Sequence, residues 1–153
     1  MKRIVSLLSA ILMMIPLCAC GAHTITPSYD GVVEFEDGSL SCTADLSADG
    51  DAVKLTITSP PHLKGLCYDY HDGELHTALD GLDCVTPPEN LPATAVPSLL
   101  YALFTTADEA RFQGEDGGVD TFILHTRGGD MTVTARDGAL RTLSFGNRSV
   151  RFE

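Results

Sequence analysis

The sequence predicts an α+β fold that is mainly β, an antiparallel sheet with one apolar face and a single helix to cover it. Three observations carry this. Asp-Gly recurs at 30–31, 37–38, 49–50, 72–73, 80–81, 116–117 and 137–138, and the pair favours tight hairpin turns because glycine tolerates the positive φ they require. Between those turns apolar residues alternate with polar ones, the period of a half-buried antiparallel strand. One segment alone, "TAVPSLLYALFTTADEA", has helical spacing instead.

Taken in order, the chain starts with Lys2 and Arg3, an apolar run from Ile4 to Leu17, and small residues at Ala19, Gly21 and Ala22. This is the layout of a signal peptide. At about 14 residues, with Pro16 near its end, the run falls short of the ~20 that a membrane-spanning helix needs. The stretch Leu17-Cys18-Ala19-Cys20 resembles a bacterial lipobox, in which a small residue precedes the cysteine that receives diacylglycerol before cleavage. The resemblance implies a signal peptide over residues 1–19, with Cys20 the lipidated first residue of the mature chain and Cys18 lost. The alternative is an ordinary secretory peptide cut nearby. Residues 20–28 are short, small and polar, as a lipidated tether requires, and 29–153 form one domain.

The formal net charge is −11, and loss of Lys2 and Arg3 makes the mature part more acidic still. Nucleic acid and anionic headgroups are therefore poor electrostatic partners, and the anchor must hold the protein to the extracytoplasmic face of the cell membrane. Arg127, Arg136, Arg141, Arg148 and Arg151 crowd the C-terminal stretch. They form either a basic face for an acidic partner or a basic edge that balances acidic loops.

The expected strands place Leu40, Cys42, Ala44 and Leu46 on one face, then Val53, Leu55 and Ile57, then Met131, Val133 and Ala135, with Leu143, Phe145, Val150 and Phe152 to the terminus. Cys42 thus reads as a buried thiol, while Cys67 and Cys84 flank a strand pair and are candidates for one disulfide. In the helical segment Thr94 can cap and Pro97 sits in the first turn. Val96, Leu99, Leu100, Leu103, Phe104 and Ala107 follow as one stripe. Pro87, Pro88 and Pro92 stiffen the loop ahead of it.

Catalytic, phosphate-loop and zinc motifs are absent from the sequence, so neither enzymatic activity nor a cofactor or metal is expected. His71 and His76 bracket a turn near Asp69 and Glu74, but ligands on opposite strand faces could not converge on a metal. "SADGDA" and "GEDGGVD" read as acidic calcium loops or as plain hairpin turns. Tyr68, Tyr70 and Tyr101 either border a ligand groove or pack with their hydroxyls in water.

Ser59-Pro60 followed by Leu63-Lys64-Gly65-Leu66, and Asp137-Gly138-Ala139-Leu140 ahead of Leu143, resemble the LolA-like lipoprotein-carrier superfamily, most closely its small lipid-anchored Gram-positive members such as germination lipoproteins. The resemblance implies a curved, half-open antiparallel barrel covered on its concave face by a central helix, and a non-catalytic scaffold for a lipid or acylated ligand. Carriers of this superfamily begin with a closing helix, for which the tether here leaves no room. Leu99, Leu103 and Phe104 facing Leu55 and Ile57 would line the groove, or would form a filled core. Among small anchored members it implies an alternative, an accessory protein docking a cell-envelope or spore-cortex enzyme.

Overall fold

The computed structural model of the chain describes residues 23–71 and 73–153. The expected signal peptide, Cys18 and Cys20 lie outside them. Alternating sequence yields eleven strands: β1 (Ser28–Asp37), β2 (Leu40–Asp49), β3 (Ala52–Ser59), β4 (Cys67–His71), β5 (Glu74–Leu79), β6 (Leu82–Thr86), β7 (Arg111–Asp116), β8 (Val119–Thr126), β9 (Gly129–Arg136), β10 (Ala139–Phe145) and β11 (Arg148–Phe152). They form one antiparallel sheet in the order β6-β5-β4-β3-β2-β1-β11-β10-β9-β8-β7. The first and last strands pair at its middle, with Val33 opposite Phe152 and Phe35 opposite Val150. The two edges, β6 and β7, remain unjoined, so the sheet does not close into a barrel. The chain crosses from one edge to the other through the only α-helix among the described residues, α1 (Val96–Thr105).

The turns follow the glycines. Asp80 and Gly81, and Asp137 and Gly138, all have positive φ (50°, 83°, 53° and 79°), as tight two-residue hairpins demand. "SADGDA" and "GEDGGVD" are hairpin turns, between β2 and β3 and between β7 and β8. Asp30-Gly31 departs from the expectation and lies inside β1. A Cβ on Gly31 would stand 3.0 Å from the Tyr29 hydroxyl; the bare glycine lets that ring lie along the strand, where its hydroxyl donates to the Val32 carbonyl (2.8 Å) and accepts from the Glu153 amide (3.1 Å).

One face of the sheet carries the core. Val33, Ala44, Leu46, Leu55, Met131, Val133, Leu143 and Val150 are buried on it, and Leu99, Leu100 and Leu103 of α1 join the same cluster with no exposed surface. The helix packs on β1, β3 and β8. Its first turn differs from expectation, because Thr94 does not cap it. Ala95 holds the N-cap position without a side-chain bond, since its amide already closes a turn onto the Pro92 carbonyl (2.9 Å) and the helix starts one residue later. Thr105 and Thr106 end it by donating to the carbonyls of Tyr101 and Ala102 (2.8 and 2.7 Å); Ala107 therefore falls in a following 3-10 turn, where it is still buried.

Candidate functional site: two recesses beside the helix

The groove candidates do meet. Leu55, Ile57, Leu99, Leu103 and Phe104 belong to one cluster and are all at most 3% exposed. As a set they are packed core rather than the wall of an open groove, and of the five only Phe104 borders space. That space is a recess of about 450 Å³ at the C-terminal end of α1, walled by Ile25, Pro27, Phe104, Ala107, Ala110 and Phe122. Residues 23–27, assigned by sequence to the tether, lie against the sheet and supply one wall. Ile25 is buried, and the Thr26 amide donates to the Gly138 carbonyl (3.1 Å). His23 stacks on Phe112 (4.1 Å between centroids) and its Nδ1 lies 2.9 Å from Asp120.

A second recess, of about 330 Å³, lies on the other flank of α1. Tyr70 and Tyr101 line it together with Ser98, Glu89 and Arg127. The two rings stack at 4.5 Å, so Tyr70 and Tyr101 do border a groove, whereas Tyr68 does not reach it. Burial pushes the Tyr70 phenol above its ordinary pKa, against smaller lowering effects of the Ser98 hydroxyl and the Arg127 guanidinium; Tyr101 raises it further. Arg127 is placed by the β8–β9 turn. A Cβ on Gly128 would stand 3.2 Å from the Ala93 carbonyl, so glycine allows the turn to approach the proline-rich loop, and Arg127 donates to the Leu91 carbonyl there (3.0 Å).

The disulfide expectation does not hold, for Cys42, Cys67 and Cys84 are all free. Cys67 faces Ala78 on β5 while Cys84 faces Thr77. Neighbouring residues on a strand point to opposite faces, so the two thiols sit on opposite sides of the sheet with β5 between them. Two strand spacings of about 4.8 Å already exceed the Cα separation a disulfide spans. Cys42 is buried as expected, and burial raises its thiol pKa.

The histidine pair does not lie on opposite strand faces. Asp69 pairs with His76 and His71 with Glu74, which puts all four on one face. The imidazoles stack at 4.4 Å, and each lies near a carboxylate, His71 to Asp69 at 3.3 Å and His76 to Glu74 at 3.7 Å. No cluster among the described residues is arranged to hold a metal ion.

Two of the five C-terminal arginines are balanced locally. Arg148 lies 2.8 Å from Asp37 and Arg151 3.1 Å from Glu34, both across the β1–β11 pairing. Ile25, Pro27, Ala110 and Phe122 of the first recess, and Ser98 and Glu89 of the second, are absent from the sequence-based candidates, while Arg127 enters there only as one of the C-terminal arginines. Only their convergence marks them, and it joins segments far apart in the chain. No described helix is long and apolar enough to cross a membrane.

No protein-family model matches the chain, and no curated protein does. Among solved structures it is similar to the LolA superfamily protein NE2245 from Nitrosomonas europaea, with 12% identity over 85% of this chain and 72% of that one, and a TM-score of 0.46.

Proposed function

We propose that the protein is a lipid-anchored extracytoplasmic scaffold, without catalytic activity of its own, that binds a lipid or the acyl part of a lipoprotein, and that its sheet curves as a half-open barrel around α1. The observation that carries this reading is the recess of about 450 Å³ walled by Ile25, Pro27, Phe104, Ala107, Ala110 and Phe122. Those apolar side chains border the core, and an acyl chain laid against them gains about 0.8 kcal/mol for each methylene it takes out of water; His23, Thr24, Thr105 and Asp108 also line the recess. The signal-peptide layout and the Cys20 lipobox support the anchor.

Titration with a fluorescent fatty acid tests the binding reading. Saturable uptake is expected, abolished by Phe104→Asp and reduced when Ala110→Trp fills the recess without placing a charge in it. Bare polypeptide in native mass spectra together with no uptake of the probe would refute it. For the anchor, Cys20→Ser is expected to leave an unprocessed precursor without the lipid mass shift, while Cys18→Ala matures normally; loss of lipidation in the Cys18 variant would overturn the cleavage assignment.

A second reading, docking of a cell-envelope enzyme, is favoured by edge strand β6, where Leu82 and Val85 are 76% and 48% exposed beside unpaired backbone groups that a partner strand could extend. Leu82→Lys with Val85→Lys is expected to block such a partner and leave acyl binding unchanged.

A further inference from the structure

We propose that the second recess is a recognition site for a small zwitterion, with an ammonium held against Glu89 and a carboxylate or phosphate held against Arg127. This ligand is distinct from the acyl chain of the other recess and does not depend on it. Glu89 and Arg127 line the same recess, yet they do not pair; the ion pairs among the described residues involve neither side chain. Arg127 uses one Nη to donate to the Leu91 carbonyl (3.0 Å), which holds the guanidinium in place with other donors still free. Two opposite charges that line one recess and are left unpaired leave room for a ligand that carries both.

The walls between the charges suit the same ligand. Ser98, whose hydroxyl stands beside the Tyr70 phenol, lines the same recess and can offer its remaining hydrogen-bonding capacity to a ligand. Ser98 lies in the first turn of α1, whose N-cap has no capping side chain, so the partial positive charge of the helix start adds to the anion side. Tyr101, partly exposed and stacked on the buried Tyr70, offers an aromatic surface to an ammonium. An anion alone would meet the Glu89 carboxylate unfavourably, and a cation alone would meet Arg127. Only a molecule bearing both charges satisfies both ends.

The test is calorimetric titration of the chain with four probes: glycerophosphoethanolamine as a lipid headgroup, β-alanine as a free zwitterion, glycerol phosphate as the anion alone, and ethanolamine as the cation alone. One or both zwitterions are expected to bind at least about tenfold more tightly than either half, the difference one added charged hydrogen bond makes. Preference for glycerophosphoethanolamine assigns the site to a headgroup, and preference for β-alanine assigns it to a free amino acid. Arg127→Gln should weaken the preferred zwitterion by about tenfold, whereas Glu89→Gln should weaken it and at the same time strengthen glycerol phosphate. That opposite sign is something a merely structural role for Glu89 would not produce. Both side chains are at the surface, and unchanged melting temperatures will separate lost binding from lost folding. Binding of glycerol phosphate or ethanolamine as tight as that of the better zwitterion, no binding of any probe, or wild-type affinity in Arg127→Gln would overturn the proposal.

Discussion

On one flank of α1 the recess is walled by Ile25, Pro27, Phe104 and Phe122, and on the other by Tyr70, Tyr101, Ser98, Glu89 and Arg127. The helix is common to both, so the contrast arises from which of its flanks each recess meets and from what the chain brings up opposite. Ser98, Tyr101 and Ala102 follow helical spacing along one flank and Phe104 looks to the other. Opposite Phe104 stand the segment before β1 and the apolar side of β8; opposite Tyr101 stand the proline-rich loop and a glycine turn, both polar at their tips. A single helix laid on a sheet thus separates a recess with Phe104, Ile25 and Phe122 in its wall, and His23 and Asp108 beside them, from one that holds Glu89 and Arg127; the row of Leu99, Leu100 and Leu103 is filled core.

Changes that break this comparison should differ in size. The largest effect is expected at the shared wall. Leu103→Ala should cost about 2–5 kcal/mol in chemical denaturation, as a core deletion does where neighbours cannot collapse. A cost below about 1 kcal/mol would mean that the helix is loosely seated and that the two recesses are one groove.

Alkaline pH should act next, on the charged side through Tyr70. Burial raises the folded-state pKa of Tyr70 above its ordinary 10.0. Above about pH 10 the unfolded chain has already lost that proton while the folded chain keeps it, so stability falls as pH rises from there through the folded pKa. Tyr29 and Tyr68, raised first by burial, add to the same fall. Tyr70→Phe should make the decline between pH 10 and 12 shallower; an unchanged profile would show that this phenol is solvated.

The smallest change in stability is expected on the apolar side. The His23–Asp120 pair is partly exposed, with His23 39% accessible, so His23→Ala should cost about 1 kcal/mol or less. It removes the stack on Phe112 that holds residues 23–27 over the recess, and should therefore hasten release of an acyl probe while leaving zwitterion binding alone. Equal release rates would mean that this segment does not restrain the ligand.

Thiol chemistry checks the strand register. Cys84 is expected to react first with a maleimide and Cys42 only after unfolding, because burial keeps the Cys42 thiol protonated as well as inaccessible. A Cys67–Cys84 bridge in non-reducing peptide maps would refute the pairing of β4, β5 and β6.

Much of the sheet was legible from local rules. The alternation over 40–46, 53–57 and 131–135 gave the buried face, and the glycines gave most turns. The exceptions have identifiable causes. Asp30-Gly31 makes no turn because the glycine accommodates the Tyr29 ring, and Thr94 makes no cap because a proline-led turn already sets Ala95. The stripe from Val96 to Phe104 was legible as a stripe, but its outcome as core required the opposing strands. At the hairpin around His71 and His76 the expected opposite faces became one face, because the β4–β5 register sets Asp69 against His76 and His71 against Glu74, and a shift of one position reverses a side chain.

By itself the sequence determined what depends on neighbours along the chain: period-two strands, glycine turns, a single amphipathic helix and the layout of a signal peptide. The tertiary structure alone decided which distant residues meet. Register placed Cys67 and Cys84 on opposite faces, the β1–β11 pairing gave Arg148 and Arg151 their carboxylates, and the crossing from β6 to β7 brought Tyr70, Glu89, Ser98 and Arg127 around one recess. Local propensity acts within a few residues, whereas a site is made by contacts whose sequence separation carries no periodic signal, so its chemistry appears only once the chain is closed on itself.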